Sequence, residues 1–369
     1  MGKLQHIMQQ ITYLGLMIVA FFAVRTFYDS IPDVMYVNAG EEIKYDYSLP
    51  VRVVLKEDSR EVLKQLSGNP MEQRITYTVT CKLFGVIPIK DIAVTVLDAG
   101  EVYASGMPIG IYVKTNGVLV IAAGEFTSQS GELVKPAENC VKSGDYIVSI
   151  NGEKVTEKES LIEKIDFYGG EKEILGIRRD GEYIEVAIEP IMSDNGMYKL
   201  GIWVRDDLAG VGTMTYYDGD GDFGALGHAV SDGDTGTMMQ VSEGWIYLTN
   251  IIGIRKGENG NPGELSGVIN YNKSCCMGRI SENTGIGIYG NLDGNLDHLS
   301  AALSYEVAYK QDIRTGTAYV ISSISGETKS YEISIENIDY SGREANKGIL
   351  FQVTDRELID LTGGIVQGM

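Results

Sequence analysis

The sequence predicts a mainly β protein that begins with an apolar segment. The chain has 45 glycines and 22 tyrosines but only 8 prolines, a composition typical of strands joined by tight turns. Helical periodicity is nearly absent from residues 193–369, and the longest apolar run lies at the N-terminus. We therefore predict four parts: a membrane-anchoring segment (1–30), a linker with a small β-rich region (31–98), a small α+β domain (99–192) and an all-β domain (193–369).

The charge and the metal-binding residue types exclude several functions. The net charge is −20, so the chain repels phosphate backbones and nucleic acid is not an expected partner. Only three histidines are present, and none of the four cysteines forms a C-x-x-C pair. We therefore expect no metal site and no cofactor. A disulfide between Cys81 and Cys140 fits a chain outside the cytosol, although unpaired cysteines are the default expectation.

The N-terminal apolar run extends from Ile11 to Val24 and carries no charge. It is shorter than the roughly 20 residues that span a bilayer, but flanking residues up to Tyr28 supply that length. A short apolar core behind Lys3 fits either a cleaved signal peptide or an uncleaved signal anchor. We favour the anchor, with Lys3 on the cytoplasmic side and the rest of the chain across the membrane.

Residues 31–98 begin as a linker and continue as strands. Alternating apolar residues predict strands with one buried face near Val51–Leu55, Ile75–Val79 and Ile92–Val96. A short helix is predicted over Ser59–Leu66.

Residues 99–192 combine hairpins with one helix. Gly106–Gly124 is predicted to form two strands around a turn at Asn116-Gly117, and Lys142–Val155 a strand with a hairpin at Asn151-Gly152. Thr156 is predicted to cap a helix reaching Phe167, because Glu159 completes a capping box. The apolar face of this helix comprises Leu161, Ile162 and Ile165.

The stretch K-S-G-D-Y-I-V-S-I-N-G-E-K-V and the helix after it resemble a PDZ domain. Such a domain binds an extended peptide or a C-terminal carboxylate by adding it as a strand. The resemblance places the peptide-binding loop at Met107, Ile109, Gly110 and Ile111, where glycine lets backbone N–H groups turn toward an anion. Pro108 removes one such donor, so both a free C-terminus and an internal segment stay open as ligands.

Residues 193–369 predict a β barrel or sandwich that holds the candidate chemistry. His228 follows a strand in F-G-A-L-G-H and is bracketed by glycines. A histidine there is suited to act as a general base, since its unperturbed pKa lies near neutrality. Near the end, Asp355 and Asp360 are candidate orienting carboxylates. The run Asp218–Asp222 lacks the glycine and glutamate of an EF-hand and is interpreted as a tight turn.

Five segments together resemble the stage IV sporulation protein B peptidase family. They are Lys82–Lys90, Gly106–Ile111, Gly201–Asp218, Phe223–His228 and Thr362–Met369. The resemblance implies a serine endopeptidase with a chymotrypsin-like double β-barrel. It assigns His228 as general base, Asp355 as orienting acid and Gly368 to the loop that carries the nucleophile and the oxyanion hole.

The family continues Gln-Gly-Met with Ser-Gly-Ser-Pro, whose first serine is the nucleophile, whereas this sequence ends at Met369. We therefore expect a peptidase domain truncated at its C-terminus, and a chain that does not cleave peptide bonds through this triad. A non-catalytic, peptide-binding scaffold of the cell envelope is the alternative. An envelope quality-control protease is a further one, although those enzymes usually place the peptidase before the PDZ domain.

The resemblance also implies partners and a compartment. The substrate would be a membrane-bound regulator of an intramembrane protease, cleaved in the space between the two forespore membranes to trigger sigma-factor activation. Self-cleavage and a peptide ligand for the PDZ domain are likewise implied.

Overall fold

The structure is a computed structural model that describes residues 2–38, 51–56, 75–97, 100–293, 299, 303–339 and 348–369. The helix predicted over Ser59–Leu66 lies outside the described residues, as does most of the linker predicted before Val51.

The described elements are three α-helices and 23 strands. The first part of the chain forms α1 Gly2–Ser30, β1 Val34–Asn38, β2 Val51–Leu55, β3 Ile75–Leu83, β4 Ile87–Leu97, β5 Glu101–Ala123, β6 Phe126–Thr127, β7 Leu133–Val134, β8 Tyr146–Ile150, β9 Glu153–Lys154 and α2 Lys158–Tyr168. The next part forms β10 Glu173–Arg179, β11 Glu182–Ile188, β12 Ile191–Met192, β13 Tyr198–Lys199, β14 Ile202–Tyr217, β15 Asp222–Ala225, β16 Val241–Arg255 and β17 Glu264–Ile269. The last part forms β18 Cys276–Thr284, β19 Gly287–Leu292, β20 Ser304–Glu306, β21 Gly316–Ser322, β22 Lys329–Ile338, β23 Ile349–Val353 and α3 Arg356–Thr362, with short 3-10 turns at Lys273–Cys275 and Lys310–Asp312.

The chain divides into two compact units, and the first comprises residues 1–102, 304–319 and 332–354. Its sheet has the order β1-β4-β3-β2, with β1 parallel to β4 and the other pairs antiparallel. The buried face is formed by Ile31, Met35, Val37, Val79, Cys81, Ile92 and Val94. The alternation predicted for this region is confirmed.

Helix α1 contains the apolar run. Its segment Thr12–Asp29 has a mean hydropathy of 1.2 and, by length and composition, can cross a membrane. The side chains described within this segment are largely exposed. These properties are compatible with an anchor and equally with a signal sequence.

The second unit comprises residues 103–303, 320–331 and 355–369 and contains a closed ring of strands. Strands β5, β14, β15, β19, β18 and β16 pair in that order, and β16 pairs back with β5. All six pairings are antiparallel. The inward side chains include Ile109, Ile111, Val113, Met214, Phe223, Ile246, Ile280 and Ile288. The described part of residues 193–369 is therefore mainly β, as predicted, and five of its strands form the ring together with β5, which precedes the predicted all-β domain.

A second core in the same unit corresponds to the predicted α+β domain. Its sheet contains β11, β10 and β8 together with the end of β5 and the start of β14. Helix α2 contributes Leu161 and Ile165 to its core. The core residues run from Val118 to Leu200, with Val204 packed against them. The residues of this core lie between Val118 and Val204, whereas Ile109, Ile111 and Val113 of β5 pack in the ring core. The predicted domain bounds of 99–192 stay a prediction.

Two strands cross from one core to the other, which the sequence did not indicate. No turn forms at Asn116-Gly117: β5 continues through it with a bulge, and Gly117 has φ +102°. The Thr115 hydroxyl shares its one proton between the carbonyls of Gly117 and Asp206, at 2.5 and 2.9 Å. These hydrogen bonds satisfy the backbone at the bulge, so the strand does not reverse.

The hairpin at Asn151-Gly152 is confirmed, and both residues have positive φ (48° and 81°). The predicted capping by Thr156 is wrong, since α2 begins at Lys158. The Asp206 carboxylate on β14 accepts the Lys158 N–H at 2.9 Å and replaces the local cap.

The expected double barrel is described only in part. The described residues form one closed ring, while β22 pairs with β23 in a separate sheet. A second barrel therefore stays a prediction. None of the four cysteines, all of which lie within the described residues, forms a disulfide.

Candidate active site and peptide groove

His228 lies in a turn that follows strand β15. Its side chain is exposed, and its Nδ1 lies 2.8 Å from the Ala229 carbonyl oxygen. A carbonyl oxygen only accepts hydrogen bonds, so Nδ1 carries the proton in this contact. In the neutral ring Nε2 is then unprotonated and can accept a proton, as a general base requires.

The turn before His228 is fixed by Leu226, which has a left-handed backbone with φ +63°. Its N–H donates to the Thr213 carbonyl at 3.0 Å, and its own carbonyl accepts from the Thr215 hydroxyl at 3.2 Å. Its side chain occupies the space where a Cβ on Gly212 would lie, 2.3 Å from Leu226 Cδ2. A strained, non-glycine conformation held by its surroundings is common at functional sites.

The loop after His228 is held by Asn283 of β18. The Asn283 side chain accepts the Val230 N–H and donates to the carbonyls of Val230 and Met239, at 2.8–2.9 Å. Asp232 is fully buried in this loop and accepts N–H groups of Asp234 and Thr235. These side chains close the loop together with backbone hydrogen bonds, such as the one from the Met239 N–H to the Val230 carbonyl at 3.0 Å.

The C-terminal segment runs beside β17 and ends next to β14. Leu265 donates its N–H to the Gln367 carbonyl at 3.0 Å, and the Gln367 N–H donates to Gly263. The Thr213 hydroxyl donates to the Gly368 carbonyl at 2.7 Å. Thr213 thus holds both Gly368 and, through Leu226, the turn that carries His228.

Asp355 is the N-cap of helix α3. Its Oδ1 accepts the Leu358 N–H at 3.1 Å. Within the described residues no hydrogen bond or ion pair joins Asp355 to His228. The structure therefore brings Gly368 to the His228 turn, whereas the partnership of Asp355 with His228 stays a prediction.

A second candidate site is an apolar groove between helix α2 and the start of β14. It has a volume of about 390 Å³, and its walls include Leu161, Ile162 and Ile165 on the helix and Ile202, Trp203 and Val204 on the strand. Ile162 and Trp203 are 46% and 64% exposed, respectively. In the part of the chain described, Ile202–Arg205 pairs only with β5. This edge of β14 is thus open to an added strand.

The loop that leads into this edge is suited to bind an anion. Gly201 has φ +70° and its carbonyl accepts the Gly124 N–H at 2.7 Å. The N–H groups of Leu200 and Gly201 have no hydrogen-bond partner among the described residues. Free, adjacent amides at the end of an apolar groove are the arrangement that captures a peptide carboxylate.

The structure places the predicted peptide-binding residues elsewhere. Met107, Ile109, Gly110 and Ile111 lie within β5 and pair with β14 on one side. Ile109, Gly110 and Ile111 also pair with β16 on the other side. Ile109 and Ile111 are buried in the ring. This correction has a simple reason: a strand with both edges paired has no N–H or C=O groups left for a peptide.

Comparison with known proteins addresses the segment that contains His228. Residues 196–369 match the family model described as SpoIVB peptidase S55. The match covers a little less than half of the chain and supports the SpoIVB peptidase family for this segment. The SpoIVB-type segment therefore includes His228, Asp355 and Gly368, as the sequence resemblance implied, and it is a serine peptidase segment in general terms.

The SpoIVB-type segment begins at residue 196, just before the loop of Leu200 and Gly201 that leads into the groove. Strand β14 therefore lies within the family match and also forms one wall of the groove. Among solved structures, the chain is similar to the PDZ domain of an SdrC-like protein from Listeria monocytogenes. The identity is 19% and the TM-score 0.21, over 25% of this chain and 90% of that one. No curated protein matches the chain.

The groove loop was missed because the sequence carries two similar short motifs. Pro108-Ile109-Gly110-Ile111 precedes the K-S-G-D stretch, and Lys199-Leu200-Gly201-Ile202 follows the helix. The signal available in the sequence was the second motif itself, in which a glycine between apolar residues directly precedes β14.

Proposed function

We propose that the chain is a membrane-anchored serine endopeptidase in which His228 is the general base and Asp355 orients its imidazole. The main support is a pair of hydrogen bonds at Thr213. Its hydroxyl donates to the Gly368 carbonyl at 2.7 Å, and its carbonyl accepts the Leu226 N–H at 3.0 Å. In the family pattern the serine follows Gln-Gly-Met. This arrangement supports a nucleophile within reach of the imidazole.

The proposed proton path begins at Nε2 of His228 and requires its Nδ1–H to exchange Ala229 for Asp355. Nε2 of His228 takes the serine proton during attack on the peptide carbonyl and later delivers it to the leaving amine. Oδ1 of Asp355 continues to accept the Leu358 N–H at the start of α3. Oδ2 of Asp355 accepts the Nδ1–H of His228, which in the structure is bonded to the Ala229 carbonyl. Gly368, with φ +92°, belongs to the loop whose N–H groups stabilise the oxyanion.

The groove supports a second function, the binding of an extended peptide. We propose that a peptide adds to the open edge at Ile202–Val204, with its carboxylate or a carbonyl on the amides of Leu200 and Gly201. Trp203 and Ile162 would cover its apolar side chains. Peptide binding without catalysis is the rival function, because the groove requires no nucleophile.

The finer assignments rest on the family resemblance. The proposed substrate is a membrane-bound regulator of an intramembrane protease, whose cleavage triggers sigma-factor activation, and self-cleavage accompanies it. The proposed location is the space between the forespore membranes, with α1 as the anchor.

The test of the catalytic proposal is labelling by a fluorophosphonate probe in a chain that continues through the family's serine. His228→Ala should lower labelling by at least about 10³-fold, because the hydroxyl then has no base. Asp355→Asn should lower it by about 10²–10⁴-fold, because the tautomer is no longer held.

Two matched variants separate these roles from general effects. His6→Ala removes another imidazole, and Asp360→Asn removes another carboxylate of α3; both should retain labelling. Full labelling of His228→Ala, or equal loss in Asp355→Asn and Asp360→Asn, would contradict the proposed triad. Peptide binding to the groove with no labelling in any form would favour the rival function.

A further inference from the structure

Arg205 connects the peptide groove to the loop that follows His228. It is the residue directly after the open edge at Ile202–Val204 on β14. Its guanidinium contacts the carboxylate of Asp232 and, at 2.9 Å, that of Asp234. One side chain therefore reaches from the groove strand into the loop four residues beyond His228.

Asp232 is the residue around which this loop is organised. Its carboxylate accepts N–H groups of Asp234 and Thr235 at 3.0 and 2.8 Å, and its backbone pairs with Gly236 and Thr237. Burial raises its pKa, but the Thr235 hydrogen bond and the Arg205 charge outweigh burial and hold the pKa below its ordinary value. A fully buried carboxylate that loses its cation is costly, so the folded loop depends on Arg205.

The loop in turn supports His228. Val230, two residues after His228, is held at both backbone groups by Asn283. The imidazole itself bonds to Ala229, in the peptide next to Val230. A change in the loop therefore displaces the backbone to which the imidazole is bonded.

The far end of the loop is also tied to the domain that contains the groove. Gln240 donates its N–H to the Tyr146 hydroxyl at 3.1 Å, and its carbonyl accepts the Asn116 N–H at 2.9 Å. Tyr146 is buried on β8. The loop is thus attached to the groove domain near both of its ends.

We propose that Arg205 is a positioning residue that makes the order of the His228 loop depend on occupancy of the groove by an extended peptide. An added strand bonds to Ile202–Val204 and fixes the backbone that leads into Arg205. The fixed guanidinium then holds Asp232 and Asp234, and the loop opens less often. The proposal rests on the peptide-binding function proposed for the groove.

The experiment measures amide hydrogen exchange across the loop in the whole chain. The probe is a pool of hexapeptides with a free carboxylate and a C-terminal Val, Leu, Ile or Phe. Binding is followed independently by the fluorescence of Trp203 in a Trp245→Phe background, since the chain has two tryptophans. At saturation we expect exchange of residues 231–237 to slow by about fivefold or more, the low end of typical coupling between sites.

Arg205→Lys is the informative variant, because it keeps the charge but loses the forked geometry that spans two carboxylates. Peptide should still bind, yet the slowing of loop exchange should fall to less than about twofold. Arg255→Lys alters an exposed pair with Glu264 on β16 and β17 and should retain the full slowing. Coupling between two sites is reciprocal, so the affinity for the peptide should fall in Arg205→Lys by the same factor by which the slowing of loop exchange is reduced.

Three outcomes would overturn the proposal. In the first, Trp203 fluorescence shows that peptide binds, but amide exchange of residues 231–237 is unchanged. In the second, peptide slows this exchange in Arg205→Lys as much as in the unaltered chain. In the third, Arg255→Lys loses the slowing of exchange to the same extent as Arg205→Lys. If no peptide in the pool changes Trp203 fluorescence, the groove function fails and the coupling fails with it. Fluorophosphonate labelling is independent of that result, so the two failures are distinguishable.

Discussion

At the scale of single residues, two buried carboxylates in the second unit behave oppositely. Asp232 has Arg205 and two backbone N–H donors, and its pKa is held below the ordinary value. Glu173 is fully buried on β10 beside the core residue Leu175. Neither of its carboxylate oxygens has a hydrogen-bond partner among the described residues. Burial alone raises its pKa from 4.5 to about 7.

Glu173 should make the stability of the groove domain fall with rising pH. A folded-state pKa above the unfolded value means stability is greatest below about pH 4.5 and is lost as the pH rises through 7. Glu173→Gln should therefore raise the free energy of unfolding at pH 8 by about 2–3 kcal/mol and change it little at pH 4. Urea denaturation at both pH values measures this. The exposed Glu171→Gln is the control, and an equal gain there would refute the burial argument.

At the scale of elements, β14 has three functions along its length. Ile202–Val204 forms the groove edge, Arg205 contacts the loop, and Thr213 holds both Gly368 and Leu226. Gly212 lies against the Leu226 side chain without a Cβ of its own. The position of the His228 turn thus depends on close approach at Gly212.

Gly212→Ala should displace Leu226 and disturb the His228 turn. The added Cβ would lie 2.3 Å from Leu226 Cδ2 and 3.0 Å from Ile111 Cδ1. We expect a loss of about 1–3 kcal/mol in the free energy of unfolding, as for overpacked cores. Gly210→Ala, on the same strand with no atom within 4 Å of its Cβ, should be neutral or slightly stabilising. Similar losses in both variants, measured by guanidinium denaturation, would count against the packing explanation.

At the scale of the whole molecule, the ring and the groove domain share two continuous strands. β5 contributes Ile109 to one core and Val120 to the other, and β14 likewise contributes Met214 and Val204. A boundary at residue 192 therefore separates β5 from β14, its neighbour in both cores.

An excised fragment should fold only if it respects these shared strands. Residues 117–206 contain the complete core and should melt cooperatively. Residues 99–192 lack Leu200, Ile202 and Val204, which leaves the apolar edge of β5 uncovered. Circular dichroism of the two fragments provides the comparison. Equally cooperative melting of 99–192 would show that β14 is dispensable to this core.

The sequence by itself determined the features that depend on neighbouring residues. The apolar run predicted α1, Asn151-Gly152 predicted a hairpin, and glycine-rich alternation predicted the β architecture of residues 193–369. These are local consequences of side-chain period and turn conformation. The family motifs also identified the segment around His228.

Only the tertiary structure decided which strand edge is free. Pro108–Ile111 and Lys199–Ile202 look alike in sequence, but Ile109–Ile111 pairs with both β14 and β16, whereas Ile202 pairs only with β5. Ile202 pairs with Ala123 and Ile109 with Gly212, partners so distant in the sequence that no local pattern encodes them. The contact between Arg205 and Asp232 is likewise a tertiary feature. It forms because β14 extends from the groove into the ring.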